Sequence, residues 1–112
     1  MMNGRFQVSG RSRRGLLVFF SALRSGPARR MESLLAQLAR KERHRLSVQS
    51  VDVEEQPELA ERFRVRKVPT LVLVRGRRTV ARLEGRANAA EIEELVDEHL
   101  DGGEKSTPEE RP

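Results

Sequence analysis

The stretch Leu16-Leu17-Val18-Phe19-Phe20-Ser21-Ala22-Leu23-Arg24-Ser25-Gly26-Pro27-Ala28 decides the fold. Its first five residues are apolar without interruption, so the strand they predict has no polar face. Such a strand is covered on both sides, as in the parallel or mixed sheet of an α/β protein. Ser25-Gly26-Pro27 then breaks the run. Proline has no N–H to lose and a fixed φ, which places Pro27 at the first position of a helix. Met31, Leu34, Leu35 and Leu38 follow at i, i+3, i+4, i+7, one apolar stripe of that helix. Arg29, Arg30, Arg40, Lys41 and Arg43 occupy much of the remainder, and the helix is expected to end near His44.

The alternation continues outward from this stretch. Leu46–Val53 predicts a second strand, with Val48, Val51 and Val53 toward the core. Gln56-Pro57 restarts a helix whose inner face is Leu59, Ala60 and Phe63. Val65–Val68 leads through Pro69 into a third apolar strand, Thr70–Val74. Arg75-Gly76-Arg77-Arg78 predicts a hairpin loop, and Thr79–Glu84 pairs back antiparallel. Asn88 and Glu91 have capping-box spacing, ahead of the stripe Ile92, Leu95, Val96, Leu100 and the stop Asp101-Gly102-Gly103.

Strand, helix, strand, helix, strand, strand, helix demands a right-handed crossover with a parallel pair, and the closing hairpin makes the sheet mixed. One domain at residues 16–101 is predicted. A short basic segment, 1–15, with a possible edge strand at Arg5–Val8, precedes it. A polar tail, 102–112, expected to be disordered, follows.

The chain has 112 residues, with 22 Lys+Arg, 17 Asp+Glu, two histidines and no cysteine. Disulfides, thiolate zinc sites and iron–sulfur clusters are therefore excluded. His44 and His99 supply too few ligands for a transition metal, so no metal or cofactor is expected. The formal charge of +5 is unevenly spread: residues 1–45 carry 11 basic and 2 acidic groups, residues 46–112 carry 11 and 15. This asymmetry is either a solvated surface or the footprint of an anionic partner. Leu16–Phe20 is too short for a signal-peptide core or a bilayer span, so a cytoplasmic location without membrane attachment is the expectation.

In their order and spacing, these residues resemble the thioredoxin family. Leu17–Arg29 is similar to that family's active-site segment, a strand ending in Trp-Cys-Gly-Pro-Cys-Lys. Val51–Phe63 is similar to its second crossover, Val65-Arg-Lys-Val-Pro-Thr-Leu71 to the segment bearing its cis-proline, and Glu84-Gly85 to the glycine opening its last helix. The resemblance runs from Leu16 to Leu100. It implies an α/β, thioredoxin-like fold: a mixed central sheet flanked by helices, with the N-terminal strand and helix shortened.

It also implies where the family's chemistry is missing. The attacking cysteine falls at Ser25 and the resolving one at Ala28, giving Ser-Gly-Pro-Ala for Cys-Gly-Pro-Cys. The preceding tryptophan is Arg24, the buried aspartate is Phe19 and its lysine partner is Ser50. Dithiol–disulfide exchange needs a thiolate, so a redox-inactive protein, not an enzyme, is expected. Ser25 reads as the cap of the helix at Pro27. As a nucleophile it would need an adjacent base. His44 is about 24 Å away along the helix at 1.5 Å per residue, and His99 ends the last helix.

What the resemblance leaves is a peptide groove formed by Arg24, Ser25, Gly26 and Pro27, by Val68 and Pro69, and by Gly85 and Arg86. The main chain of Val68 needs no sulfur to pair with an extended peptide, although the bend at Pro69 has equal standing as architecture alone. Arg24 in place of an aromatic makes the rim cationic and suits acidic segments. Peptide or protein is the expected partner. The alternative is a nucleic-acid-associated protein using the arginine-rich N-terminal half. It is disfavoured because Tyr and Trp are absent and Phe19, Phe20 and Phe63 read as core, leaving no stacking platform. Glu91, Glu93, Glu94, Asp97 and Glu98 are expected only to solvate the last helix.

Overall fold

Leu17, Val18, Phe19 and Phe20 are 0% exposed, which requires a strand paired at both edges and covered on both faces. In the computed structural model, which describes residues 14–22 and 26–100, that strand is β1 (Gly15–Ser21). It is followed by α1 (Gly26–Lys41), β2 (Leu46–Asp52), α2 (Pro57–Arg62), β3 (Thr70–Arg75), β4 (Arg78–Glu84) and α3 (Ala89–His99). The element order is the predicted one. The sheet runs β2-β1-β3-β4, with β1 parallel to β2 and antiparallel to β3, and β3 antiparallel to β4. The expected strand at Arg5–Val8, the cap at Ser25 and the tail 102–112 lie outside the described residues.

Alternation along β1 divides the core in two. Leu17 and Phe19 face α1 and α3, where Met31, Leu35, Leu38, Ile92, Val96 and Leu100 close over them. Val18 and Phe20 face the opposite side with Val51, Val72, Val74 and Ala60 of the short α2, and Phe20 meets Phe63 at a centroid distance of 5.5 Å. Each fully buried side chain of this size contributes about 1.5–3 kcal/mol. The expected Val48 and Val53 contacts are only half-buried, at the margins of the two clusters.

Several boundaries differ from expectation. Helix α1 starts at Gly26, one residue before Pro27, and stops at Lys41 rather than near His44. The chain there turns into β2: the N–H groups of Arg45 and Leu46 donate to the Glu42 carbonyl, and the Gly15 N–H donates to the Arg45 carbonyl. Helix α3 has the expected capping box, with the Glu91 N–H on Asn88 Oδ1 and the Asn88 N–H on Glu91 Oε1. It ends at His99 with Leu100 as its C-cap, and the expected stop at Asp101-Gly102-Gly103 lies outside the described residues. The β3–β4 turn is two residues, Gly76-Arg77, with positive φ at Gly76 (66°), a conformation that favours glycine.

β4 contains a feature that alternation missed. Leu73 pairs with Ala81 and Val74 with Thr79, so Val80 is an extra residue, a bulge. The bulge lets consecutive Val80 and Ala81 both pack against the α1/α3 core.

Two arginines occupy structural positions, one through its side chain and one through its main chain. The Arg45 side chain is 7% exposed, with Nε donating to Glu42 Oε1 at 2.7 Å and Nη2 to Asp97 Oδ1 at 2.6 Å. Burial opposes its charge, but the hydrogen bonds and fields of Glu42 and Asp97 outweigh that, and its pKa is raised. Asp97 therefore does more than solvate α3: it ties that helix to the α1–β2 turn. Glu93, four residues earlier, pairs with Lys41 at 3.3 Å in an exposed bridge worth little by itself.

The second is Arg64, at φ 57°. The Val65 N–H reaches back to the Ala60 carbonyl and the Arg64 N–H to that of Glu61, the paired bonds of a Schellman ending in which glycine is usual at the Arg64 position.

Two stability outcomes follow from these arginines. Arg45→Ala strands two part-buried carboxylates and is expected to lower unfolding free energy by about 2–4 kcal/mol, read as a lower urea midpoint with an unchanged m-value. Arg64→Gly relieves the left-handed strain and, after the entropy glycine adds to the unfolded chain, is expected to stabilise by up to about 1 kcal/mol. The same urea titration would show that variant's midpoint moving upward.

Candidate peptide-binding site

Strand register brings distant parts of the chain to one pole. Phe20 near the end of β1 pairs with Thr70 at the start of β3, and Thr70 pairs with Glu84 at the end of β4. The loop into α1, the Pro69 bend and the Gly85 loop must therefore emerge side by side. The Val68–Pro69 bond is cis. The Gly85 N–H donates to the Pro69 carbonyl at 2.8 Å, joining two of the expected groove segments directly. Gly85 has φ 89° with open space where a Cβ would stand, so its backbone conformation, not crowding, calls for glycine. Gly26 and Pro27 open α1 at this pole, whereas Arg24 and Ser25 lie outside the described residues.

Val68 is half-buried, and among the described residues neither its N–H nor its carbonyl takes a hydrogen-bond partner. The flanking chain is firmly held. Thr70 Oγ1 donates to the Lys67 carbonyl at 2.8 Å. Arg82 of β4 donates from Nη1 to the Phe63 carbonyl and from Nη2 to the Arg64 carbonyl, both at 3.0 Å. A single planar guanidinium thus fastens the end of α2 to the sheet and sets where Val65–Val68 runs. Sequence reading missed Arg82, since an alternating strand residue carries no signal of a partner 18 positions upstream.

Arg86 turns toward α1. With Ala87, Asn88 and Glu91 it faces Arg30, Met31 and Leu34 across an open depression of about 430 Å³. Met31 is 2% exposed and forms an apolar floor, while Arg30 and Arg86 are exposed. Glu91 is engaged in the α3 cap. Two arginines against one carboxylate leave this rim net positive. Arg30, Met31 and Leu34 are neighbours that sequence reading did not assign to the site, although Arg30 and Leu34 share one helical row by their spacing of four.

Phe19, at the family's aspartate position, is 0% exposed, and Ser50 beside it in β2 is exposed. Among the described residues no cluster of His, Asp or Glu could hold a metal ion, and no helix is long and apolar enough to cross a membrane.

Comparison with known proteins places this architecture. The family profile described as Thioredoxin matches residues 3–98. The chain belongs to the thioredoxin family. It is 34% identical over 87 residues to the bifunctional thioredoxin reductase/thioredoxin of Mycobacterium leprae, a match covering 77% of this chain but only 19% of that protein. It is 32% identical over 85 residues to the thioredoxin of Alicyclobacillus acidocaldarius, covering 76% of this chain and 81% of the relative. The crystal structure of the germline-specific thioredoxin Deadhead of Drosophila melanogaster superposes with a TM-score of 0.73 at 32% identity, over 78% of this chain and 82% of that one. The mixed sheet and its helices are thus a thioredoxin-like fold, as the sequence implied.

Arg82 gives this thioredoxin-like site its own test. Arg82→Ala frees two carbonyls and is expected to cost about 1–3 kcal/mol. The amide resonances of Val65–Val68 should shift while those of α1 stay in place, and Arg82→Lys, lacking the planar fork, should recover little. Unmoved Val65–Val68 resonances would show that the loop is held by other contacts.

Proposed function

We propose that this chain is a thioredoxin-fold binding module that performs no dithiol–disulfide exchange and receives extended, acidic peptide or protein segments at the pole of Val68, Pro69, Gly85 and Arg86. The observation that carries the reading is the pairing of a thioredoxin-family scaffold with a chain that contains no cysteine. Sulfur is indispensable to the exchange reaction, whereas strand addition uses only main-chain groups. Val68 has both of these without a partner among the described residues.

Ser25 and Ala28 stand where the family has its cysteines, and Phe19 where it has a buried aspartate. Neither cysteine position carries a thiol, and Phe19 has no carboxylate to take up a proton. Binding specificity would come from the cationic rim of Arg30 and Arg86, with Arg24 beside it in the sequence reading, favouring Asp and Glu side chains flanking the paired strand. A cytoplasmic setting fits a chain that needs no oxidising compartment.

The test is a chemical-shift titration with extended peptides of graded acidity. Val68, Pro69-adjacent Thr70, Gly85 and Arg86 amides are expected to move together, more for acidic peptides, with Arg86→Ala weakening binding about three- to tenfold. Insulin reduction with dithiothreitol should remain at the reagent blank. Turnover above blank, or peptides that bind without perturbing Val68–Thr70, would overturn this reading.

A further inference from the structure

The opposite pole carries a second surface that the groove reading does not use. Gly15 at the start of β1 pairs with Leu46 at the start of β2 and with Arg75 at the end of β3, and Arg75 pairs with Arg78 at the start of β4. Strand starts, the 42–45 turn and the Gly76-Arg77 hairpin therefore share one end of the sheet. That end lies about 20 Å from the peptide pole, six strand residues at about 3.3 Å each.

Register gathers cations here from both halves of the chain: Arg14, Arg43, Arg75, Arg77 and Arg78. Arg14 and Arg75 are partly committed, Arg14 to Ser47 Oγ at 2.8 Å and Arg75 to the His99 carbonyl at 3.3 Å. Arg43, Arg77 and Arg78 are exposed, and no carboxylate of the described residues pairs with them. Among the described acids near this pole, Glu42 and Asp97 share Arg45, Glu93 pairs with Lys41, and Glu98 in the last turn of α3 is exposed without such a bridge. Exposed His44, 4.0 Å from Glu42, adds no negative charge.

We infer that this pole is a binding surface for the phosphate backbone of double-stranded nucleic acid, without sequence specificity. Three strand spacings separate β2 from β4, about 14 Å, a length over which a duplex presents about eight phosphate charges. Among the described residues the pole's exposed side chains are cationic or polar, with Glu98 the exception named above. Among the described residues it offers no exposed apolar anchor of the kind a protein partner would bury, and phosphate contact needs none. The objection to single strands still holds, because Phe19 and Phe20 are fully buried and Phe63 packs on Phe20. A duplex keeps its bases stacked internally and requires no aromatic platform. The cations concerned are not those of the N-terminal half as a block: Arg45 is buried and Arg29 and Arg30 sit on the first turns of α1, at the peptide pole.

The experiment is fluorescence anisotropy of the full chain with a labelled duplex of about 20 base pairs, titrated in salt. Non-specific affinity of roughly 10⁻⁴–10⁻⁶ M near physiological salt is expected, tightening as salt falls. Arg77→Ala/Arg78→Ala should lower the slope of log K against log salt by about 2 and weaken binding about tenfold at low salt, and Arg43→Ala should lower the slope by about 1. Arg62→Ala/Arg66→Ala, away from this pole, should leave both unchanged. Circular dichroism identifies any variant that fails to fold, and the hairpin and turn variants are independent of each other. Absence of duplex binding at low salt overturns the proposal, as does undiminished binding by folded pole variants. Tighter binding of a single strand, or of a polyglutamate peptide of equal charge through the same arginines, would also overturn it.

Discussion

The burial of β1 on both faces is the constraint from which the rest of the molecule is built. Four consecutive residues with no solvent contact require neighbours on each edge and a layer above and below, and the chain has little else with which to supply them. β2 and β3 provide the edges, α1 and α3 one layer, and α2 with its following loop the other. Because β1 is central, whatever leaves its end is placed against whatever begins β3, and that adjacency creates the pole of the candidate site. The thin second layer also explains the double fastening of α2. A six-residue helix cannot hold itself, so Arg82 and the Schellman bonds anchor it.

Apolar periodicity made the seven elements, their order and the mixed sheet legible before any coordinates, since Leu16–Phe20 and Thr70–Val74 have only one sensible environment. Pro27, Pro57 and the Asn88–Glu91 box marked helix starts to within a residue. Helix ends were less legible. The α1–β2 turn is closed by main-chain bonds to the Glu42 carbonyl and by Arg45, and neither leaves a trace in hydrophobic pattern. Charge was the least legible feature. Nineteen arginines look alike in sequence, yet Arg45 bridges Glu42 of the α1–β2 turn to Asp97 of α3, Arg82 ties down a loop, and Arg77 stands in solvent. Only three-dimensional adjacency separates these roles.

The two poles divide the chemistry of one sheet. At one, main-chain groups and a small apolar floor face outward, with arginines as a rim. At the other, arginines are the surface itself. They are about 20 Å apart, so a bound peptide and a bound polyanion would not collide, and the rigid β1 between them fixes their relative orientation.

The bulge at Val80 has a consequence for how the molecule behaves among copies of itself. β4 ends the described sheet, and a flat outer strand with unpaired amides is a template for another chain. The extra residue breaks the regular repeat of donors and acceptors halfway along that strand. Arg78 and Glu84 mark its two ends with opposite charges. A second molecule aligning along β4 would lose register at the bulge after a few bonds, which discourages stacking into fibrils. An irregularity that serves the interior by turning Val80 inward thus also makes the outer margin a poorer template for another chain.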